Sequence, residues 1–196
     1  MRLYFNKHTR ATRPRWLIEE AGLDCEIVNV DLAAGEHKRP EFLAVHPLGK
    51  VPALQDGDTT IMESGAITLY LADRTDLAPA PNSAGRASYY QWAFYAMTQL
   101  EGPVGRYFYE QRKADSERDT AVLDAARAEL GTMCAPVANA VAGRSWLVED
   151  RFTAADVLVG SILAWARALG ILPQDDALAA YVERCTARPA FKRARA

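Results

Sequence analysis

The sequence predicts an α+β domain over residues 1–76, joined by a linker at residues 77–83 to an all-α domain over residues 84–196. Three observations lead to this fold class. Short apolar runs and helical patterns alternate in the order β-α-β and then β-β-α, which is typical of helices packed against a small mixed sheet. Two prolines interrupt the linker, which shows no periodicity. Every pattern after the linker has the period of a helix.

The first domain begins with a β-α-β unit. Residues 2–5 form a short strand-like run, and residues 13–21 place their large apolar side chains on one side of a helix that Gly22 would end. Residues 25–32 alternate between polar and apolar side chains, as a half-buried strand does. The unit is therefore predicted as strand, helix and strand.

A β-β-α unit follows, after a loop and a short helix at residues 41–45. Residues 51–54 and 59–62 are apolar runs separated by Asp56-Gly57, and such a dipeptide between two runs is a hairpin signal. Residues 65–74 then form a helix. Together the two units predict a mixed sheet of four strands.

The second domain contains a succession of helical stretches. Residues 86–112 carry a dense row of aromatic side chains, and residues 116–142 have the pattern of a long amphipathic helix. Residues 157–165 are strongly apolar. Residues 176–187 form the last predicted helix, which Arg188-Pro189 would end.

Thr153 and Asp156 stand before the apolar run with the spacing of a capping box, in which each side chain satisfies the backbone N–H of the other residue. Aspartate is not the usual second member, but its charge suits the positive end of the helix dipole. We therefore assign both residues to folding and not to catalysis.

The composition is that of a globular protein, with 49% hydrophobic and 24% charged residues. There are 23 Lys and Arg against 25 Asp and Glu, so the net charge of -2 does not favour nucleic acid as a partner. Cys25, Cys134 and Cys185 are scattered without metal-ligand spacing, which indicates a reducing compartment and no metal site. No run of about 18 residues is apolar throughout. We expect a cytoplasmic protein that binds neither nucleic acid nor membrane.

The spacing of Val51-Pro52 and Glu63-Ser64 is the most informative feature for function. A cis peptide is cheap only before proline, about 0.5–1 kcal/mol, and a cis bond here would present the Val51 backbone to an extended peptide ligand. Glu63-Ser64 precede a helix, whose first N–H groups bind anions, and the Glu63 carboxylate can pair with an ammonium group. These groups suit the α-carboxylate and α-amine at one end of a small peptide. The alternative is a strand start and a helix cap with no ligand.

Taken in order, these features resemble the cytosolic glutathione transferases over essentially the full length of the chain. The resemblance rests on Pro-Leu-Gly-Lys-Val-Pro-Ala-Leu at residues 47–54, on residues 63–67, on Tyr70-Leu71, on the capping box and on residues 188–191. It implies a thioredoxin-like N-terminal domain with a mixed four-stranded sheet, followed by an all-helical domain. It also implies glutathione, γ-Glu-Cys-Gly, as co-substrate, and a theta-like or related bacterial class.

The resemblance assigns glutathione-binding roles to six residues, which are His37, Lys50, Val51, Pro52, Glu63 and Ser64. Glu63 and Ser64 match the pair that holds the γ-glutamyl carboxylate and amine. Val51 matches the residue whose backbone pairs with the cysteinyl part. Lys50 and His37 match basic positions that approach the glycyl carboxylate. For His37 the alternative is a histidine in a solvated loop.

The loop after the first strand carries the candidates for activating the glutathione thiol. A free thiol has a pKa of about 8.5, so the enzyme has to stabilise the thiolate by a hydrogen bond and by positive potential. Alignment with the family's hydroxyl-x-x-Ser-Arg pattern puts Thr9 at the serine of theta-like enzymes, which makes Thr9 the predicted catalytic donor. Arg10 replaces the beta-class cysteine and either adds positive potential or faces water. Asn6 and His8 are minor candidates, and Tyr4 is assigned to packing.

The predicted function is conjugation of the glutathione thiolate to a small electrophile by a cytoplasmic homodimer. Two alternatives use the same fold. One is a glutathione-dependent isomerase, dehalogenase or disulfide reductase, and the other is a non-catalytic glutathione-binding protein. The fold by itself does not choose between them.

Overall fold

A computed structural model describes residues 1–196 and divides the chain into two units. The first unit comprises residues 1–78 together with residues 188–196, and the second comprises residues 79–187. None of the helices combines the length and the apolar character that a membrane span requires.

The first unit is built on a four-stranded mixed sheet with the strand order β2-β1-β3-β4. The central strand β1 (Arg2–Phe5) runs parallel to β2 (Glu26–Asn29) and antiparallel to β3 (Ala53–Asp56). The strand β4 (Thr59–Ile61) pairs antiparallel with β3 through the predicted hairpin. The predicted mixed sheet is therefore confirmed, although β2 is shorter than the predicted strand at residues 25–32.

Three helices follow the strands of the first unit in the order that the sequence predicts. They are α1 (Thr12–Ala21), α2 (Pro40–Leu43) and α3 (Ser64–Ala72). The helices α1 and α3 pack against each other, and their inward side chains are fully buried together with those of the central strand. Gly22 ends α1 with a φ of 63°, a left-handed conformation that glycine adopts without a steric penalty.

A further helix, α9 (Pro189–Arg195), belongs to the first unit and packs against α1. The sequence indicated only the end of a helix at this point. Proline also suits the first position of a helix, where its missing N–H would have no partner. The Phe191 ring lies edge-on to Trp16 with 4.9 Å between centroids, and Arg188 and Arg193 form ion pairs with two glutamates of α1.

The regular elements of the second unit are all helices, as predicted, and one isolated β-bridge joins Val148 and Arg151. Its helices are α4 (Ala84–Tyr95), α5 (Glu101–Gln111), α6 (Thr120–Val141), α7 (Ala154–Ala168) and α8 (Asp176–Ala187), with a π-helical segment at Ala96–Leu100 between α4 and α5. The helix α7 is central, since it packs on α4, α5 and α8 and buries most of its side chains.

The predicted capping box at the start of α7 is confirmed. Asp156 is fully buried, and its carboxylate accepts the Thr153 N–H at 2.9 Å and the Leu147 N–H at 3.1 Å. The Tyr181 hydroxyl donates to the same carboxylate at 3.0 Å. The Thr153 hydroxyl is a fourth donor, at 3.2 Å. Burial raises the pKa of Asp156 to about 6, although all four hydrogen bonds act to lower it.

Candidate functional site

The segment that leads into β3 contains the Val51–Pro52 bond, which is cis. Pro52 is buried and Val51 is half-buried. The Val51 N–H and C=O form no hydrogen bond with the rest of the backbone, and β3 begins two residues later. Val51 therefore keeps one backbone donor and one backbone acceptor for a ligand.

The loop before this segment lies against the 3-10 turn at Glu36–Lys38. Gly49 has a φ of 57°, and a Cβ at this position would be 2.6 Å from the His37 carbonyl oxygen, so only glycine fits. His37 is half-buried, and its Nδ1 is buried without a hydrogen-bond partner. Lys50 is exposed. The close approach at Gly49 thus brings the His37 turn next to the loop that carries Lys50.

Glu63 occupies the position before α3 with a φ of 68° and a ψ of 117°. A residue other than glycine held in such a rarely populated conformation costs about 1–3 kcal/mol, and residues of this kind cluster at active sites and ligand-binding positions. Glu63 is also exposed. Its conformation is the main backbone strain at the end of the β3–β4 hairpin.

Ser64 is the first residue of α3 and is only 3% exposed. Its Oγ accepts a hydrogen bond of 3.1 Å from Nη1 of Arg13, and its carbonyl accepts the Thr68 hydroxyl at 2.7 Å. Arg13 is likewise 3% exposed, so a guanidinium group is buried between α1 and α3. The sequence alone did not identify Arg13 as a partner of Ser64.

Thr9 lies half-buried in the loop between β1 and α1. Its hydroxyl donates to the Asn6 carbonyl at 2.6 Å and accepts the Ala11 N–H at 3.2 Å. The Asn6 side chain in turn donates to the Val30 carbonyl at 2.9 Å, which fixes the loop to the end of β2. The Thr9 hydroxyl proton is therefore used within the loop in this conformation.

Of the other candidates of the first loop, His8 and Arg10 are exposed and Asn6 is half-buried. His8 has a φ of 63°. Tyr4, which the sequence assigns to packing, donates through its hydroxyl to Gln55 at 2.8 Å and sets its ring against Phe42 with 5.6 Å between centroids. Both contacts of Tyr4 join elements of the fold.

His46 is a buried polar residue of this region that the sequence analysis did not identify. Its Nδ1 accepts the Leu48 N–H at 3.2 Å, and burial lowers its pKa. Glu63 and Lys50 act on the same pKa in opposite directions, so the ring lies within electrostatic range of both charges. A lone histidine before a proline carries no sequence signal for such a position.

Two family models match this chain along most of its length. Residues 1–73 match the glutathione S-transferase N-terminal domain, and residues 90–189 match the glutathione S-transferase C-terminal domain. The chain belongs to the glutathione S-transferase family. The sequence predicts this family, its two-part fold, and a glutathione transferase that uses glutathione as co-substrate. These predictions are confirmed.

Individual relatives of this glutathione S-transferase chain cover nearly its whole length. Glutathione S-transferase 3 of Zea mays is 32% identical over 187 residues, which span 90% of this chain and 84% of the relative. Disulfide-bond oxidoreductase YfcG of Escherichia coli (strain K12) is 29% identical over 196 residues, 96% of this chain and 91% of the relative. A crystal structure of a Burkholderia graminis glutathione transferase, with two glutathione molecules bound per subunit, has a TM-score of 0.89 at 26% identity and covers 98% of this chain and 86% of that one.

Proposed function

We propose that this chain binds glutathione through His37, Lys50, Val51, Pro52, Glu63 and Ser64, and conjugates its thiolate to small electrophiles. The observation that carries the proposal is the start of α3, where Arg13 donates to Ser64 Oγ and leaves the serine proton available to an anion. The first N–H groups of α3 add donors for the γ-glutamyl carboxylate, while Glu63 pairs with the ammonium group.

The remaining contacts follow from the loop before β3. The unpaired backbone groups of Val51 suit the cysteinyl part of glutathione, in the manner of an added strand. Lys50 and His37, on neighbouring segments, suit the glycyl carboxylate, and the buried Nδ1 of His37 lacks a partner within the chain. Both ends of the tripeptide are then held by groups of opposite charge.

Thr9 is proposed to donate a hydrogen bond to the glutathione thiolate. Because theta-like enzymes carry a serine at this position, we also propose a theta-like or related bacterial class. A hydroxyl carries one proton, so donation to sulfur requires rotation of the proton away from the Asn6 carbonyl. The thiol proton passes to solvent and the thiolate then forms a sulfur–carbon bond with the electrophile. The electron pair of the broken bond leaves with the leaving group.

Titration calorimetry with glutathione at millimolar concentration tests the proposal. Wild type should bind, and Glu63→Ala should weaken binding at least about tenfold, because the ammonium group loses its charged partner. Glu41→Ala is the matched control, since Glu41 is an exposed carboxylate in α2 outside the site. Absence of binding by the wild type, or equal losses in both variants, would contradict the proposal.

A disulfide reductase is the second candidate function. It is favoured by the relative YfcG, a disulfide-bond oxidoreductase that matches 96% of this chain. The first loop contains no cysteine, so two glutathione molecules would be oxidised to their disulfide while a substrate disulfide is reduced to two thiols. Turnover of a disulfide such as bis(2-hydroxyethyl) disulfide, without turnover of aryl halides, would decide for this function.

We also propose a cytoplasmic, two-fold homodimer in which residues 1–76 bind glutathione and a helical domain begins at residue 84, after a linker at 77–83. Tyr90 and Phe94, one turn apart on α4, are 42% and 63% exposed, and such an apolar stripe suits a contact with a second copy. The three cysteines are free thiols, which suits a reducing compartment. Light scattering on wild type and Phe94→Asp tests the dimer: wild type should have twice the mass of the chain.

A further inference from the structure

His46 holds the tight turn between α2 and the segment before β3. The residue is only 4% exposed. Its backbone N–H donates to the Phe42 carbonyl at 2.8 Å, and its own carbonyl accepts the Gly49 N–H at 2.8 Å. Its ring Nδ1 accepts the Leu48 N–H at 3.2 Å. One residue therefore fixes the turn at 46–49 at both of its ends and at its tip.

The ring has to be neutral for this arrangement. Nδ1 accepts a hydrogen bond, so Nε2 carries the proton. A second proton on Nδ1 would face the Leu48 N–H and abolish the bond. Burial lowers the pKa of His46, and among nearby charges Glu63 raises it and Lys50 lowers it. The buried position thus favours the form of the ring that can accept from Leu48.

The turn that His46 holds is continuous with the proposed glutathione contacts. Gly49, its last residue, lies against the His37 carbonyl, and Lys50 and Val51 follow directly. Val51 forms no backbone hydrogen bond of its own, so its direction is set by the residues on either side. A change at position 46 therefore reaches the backbone that would pair with the cysteinyl part of the ligand.

We propose that His46 is a positioning residue for glutathione, whose neutral ring holds the 46–49 turn so that the Lys50 side chain and the Val51 backbone meet the tripeptide. This inference rests on the proposed function of Lys50 and Val51. It assigns the ring no contact with the ligand. If His46 served packing alone, only its volume would matter, and the ability of position 46 to accept a hydrogen bond would have no effect on binding.

Two substitutions separate the acceptor from the volume. His46→Asn keeps an oxygen where Nδ1 lies and cannot be protonated, whereas His46→Leu keeps much of the volume and loses the acceptor. At about pH 7.5, where histidine is neutral, calorimetry should show that wild type and His46→Asn bind glutathione alike. His46→Leu should bind roughly threefold to tenfold more weakly, the effect of one net hydrogen bond. Equal affinities for the leucine variant and wild type, or for the asparagine and leucine variants, would overturn the inference.

Acidification provides the second comparison. Burial places the protonation of the His46 ring below the ordinary pH for histidine, and nuclear magnetic resonance of the ring locates that pH. Below it, wild type should lose affinity relative to His46→Asn, because only wild type can protonate at this position. Effects of acid on groups that do not interact with position 46 cancel in the ratio of the two affinities. If the ratio of the glutathione affinities of wild type and His46→Asn is the same at both pH values, the inference is contradicted. This comparison also decides the question if His46→Leu fails to fold, which thermal unfolding would reveal.

A measurement on the ligand-free protein separates this inference from the proposed function. In the full chain labelled with nitrogen-15, the Leu48 amide resonance should follow the titration of the His46 ring, and its hydrogen exchange should be faster in His46→Leu than in His46→Asn. A Leu48 amide indifferent to pH and to both substitutions would overturn the role of His46. Failure of wild type to bind glutathione at any pH would instead overturn the proposed function, with the Leu48 result standing by itself.

Discussion

Arg13 Nη1 donates a hydrogen bond of 3.1 Å to Ser64 Oγ, and each of the two residues is only 3% exposed. A guanidinium group has donors only and does not lose its proton in proteins, so the serine oxygen has to accept. The serine hydroxyl is then left as a donor at the N-terminus of α3, with a positive charge directly behind it. This relationship makes the buried arginine part of the proposed carboxylate site.

Arg13→Lys should therefore weaken glutathione binding about tenfold and lower the free energy of unfolding by about 2 kcal/mol. An ammonium group cannot reproduce the planar donor geometry, and a hydrogen bond to a charged group contributes about 1.5–3 kcal/mol. Calorimetry and denaturant unfolding measure the two effects. Arg15→Lys is the control, because Arg15 lies on the same helix and pairs with Glu19 at a partly exposed position, 2.7 Å away. Equal losses in both variants would contradict the role of Arg13.

Substitutions at Glu63 should separate stability from binding. Glu63→Gly relieves a φ of 68°, so the free energy of unfolding should rise by roughly 1 kcal/mol while glutathione binding weakens at least about tenfold. Glu63→Ala should weaken binding as much, with no gain in stability. Thermal unfolding and calorimetry on the two variants provide the check. A glycine variant less stable than the alanine variant would show that the backbone at this position is not strained.

Thr9→Val should lower kcat/KM about 10- to 100-fold, because valine keeps the shape of threonine and removes the only hydroxyl proposed to reach the thiolate. The pKa of the bound glutathione thiol, followed by ultraviolet absorbance, should rise toward its value in free glutathione. Thr9→Ser should retain both properties.

The control for Thr9 is Thr12→Val. The Thr12 hydroxyl donates to the Thr9 carbonyl at 2.9 Å, so this variant removes a hydroxyl from the same loop without removing the proposed donor. Its bound thiol should keep the pKa of the wild-type complex. An unchanged thiol pKa in Thr9→Val would transfer the role to another group of the first loop.

Features that depend on a few adjacent residues were predictable from the sequence. Asp56-Gly57 predicts the β3–β4 hairpin, and Thr153 with Asp156 predicts the start of α7, because turns and caps are formed within four or so residues. The helix α9 was missed because its start is not marked by adjacent residues alone. Pro189 follows the end of one helix and begins the next, and only its packing on α1 distinguishes the two meanings.

The buried polar residues were not predictable in this way. Periodicity identifies the apolar side of an element, and a charged residue on that side is expected to reach solvent. The partner of Arg13 is Ser64, 51 residues further along the chain, and no local pattern connects them. The buried His46 ring accepts the Leu48 N–H of its own loop, and such a contact between a side chain and the backbone also lies beyond a pattern of apolar positions.

The stability of the protein should depend on pH through Asp156, whose pKa burial raises from its usual 3.8 to about 6. A carboxyl group with a higher pKa in the folded chain binds its proton more tightly when folded. Its contribution to stability is therefore present at low pH and is lost as the pH rises from about 4 to about 6. Relative to Asp156→Asn, the free energy of unfolding of wild type should fall by up to about 3 kcal/mol across this window and then stay level.

Asp150 provides the opposite control. The N–H groups of Ser145 and Trp146 donate to its carboxylate and lower its pKa below the usual value. Relative to Asp150→Asn, wild type should therefore hold a constant advantage above about pH 4 and lose it only at lower pH. Denaturant unfolding at a series of pH values measures both differences. A rise in the stability of wild type relative to Asp156→Asn between pH 4 and 6 would contradict the raised pKa.

The position of α9 also bears on how the protein matures during synthesis. Ribosomes extend a chain by about 5–20 residues per second, and domains commonly fold as they emerge. Here Phe191, which packs on Trp16 of α1, is translated only after all of residues 79–187. Until Phe191 is synthesised, α9 does not cover this apolar side of α1, and transiently exposed apolar surface of this kind promotes aggregation during folding.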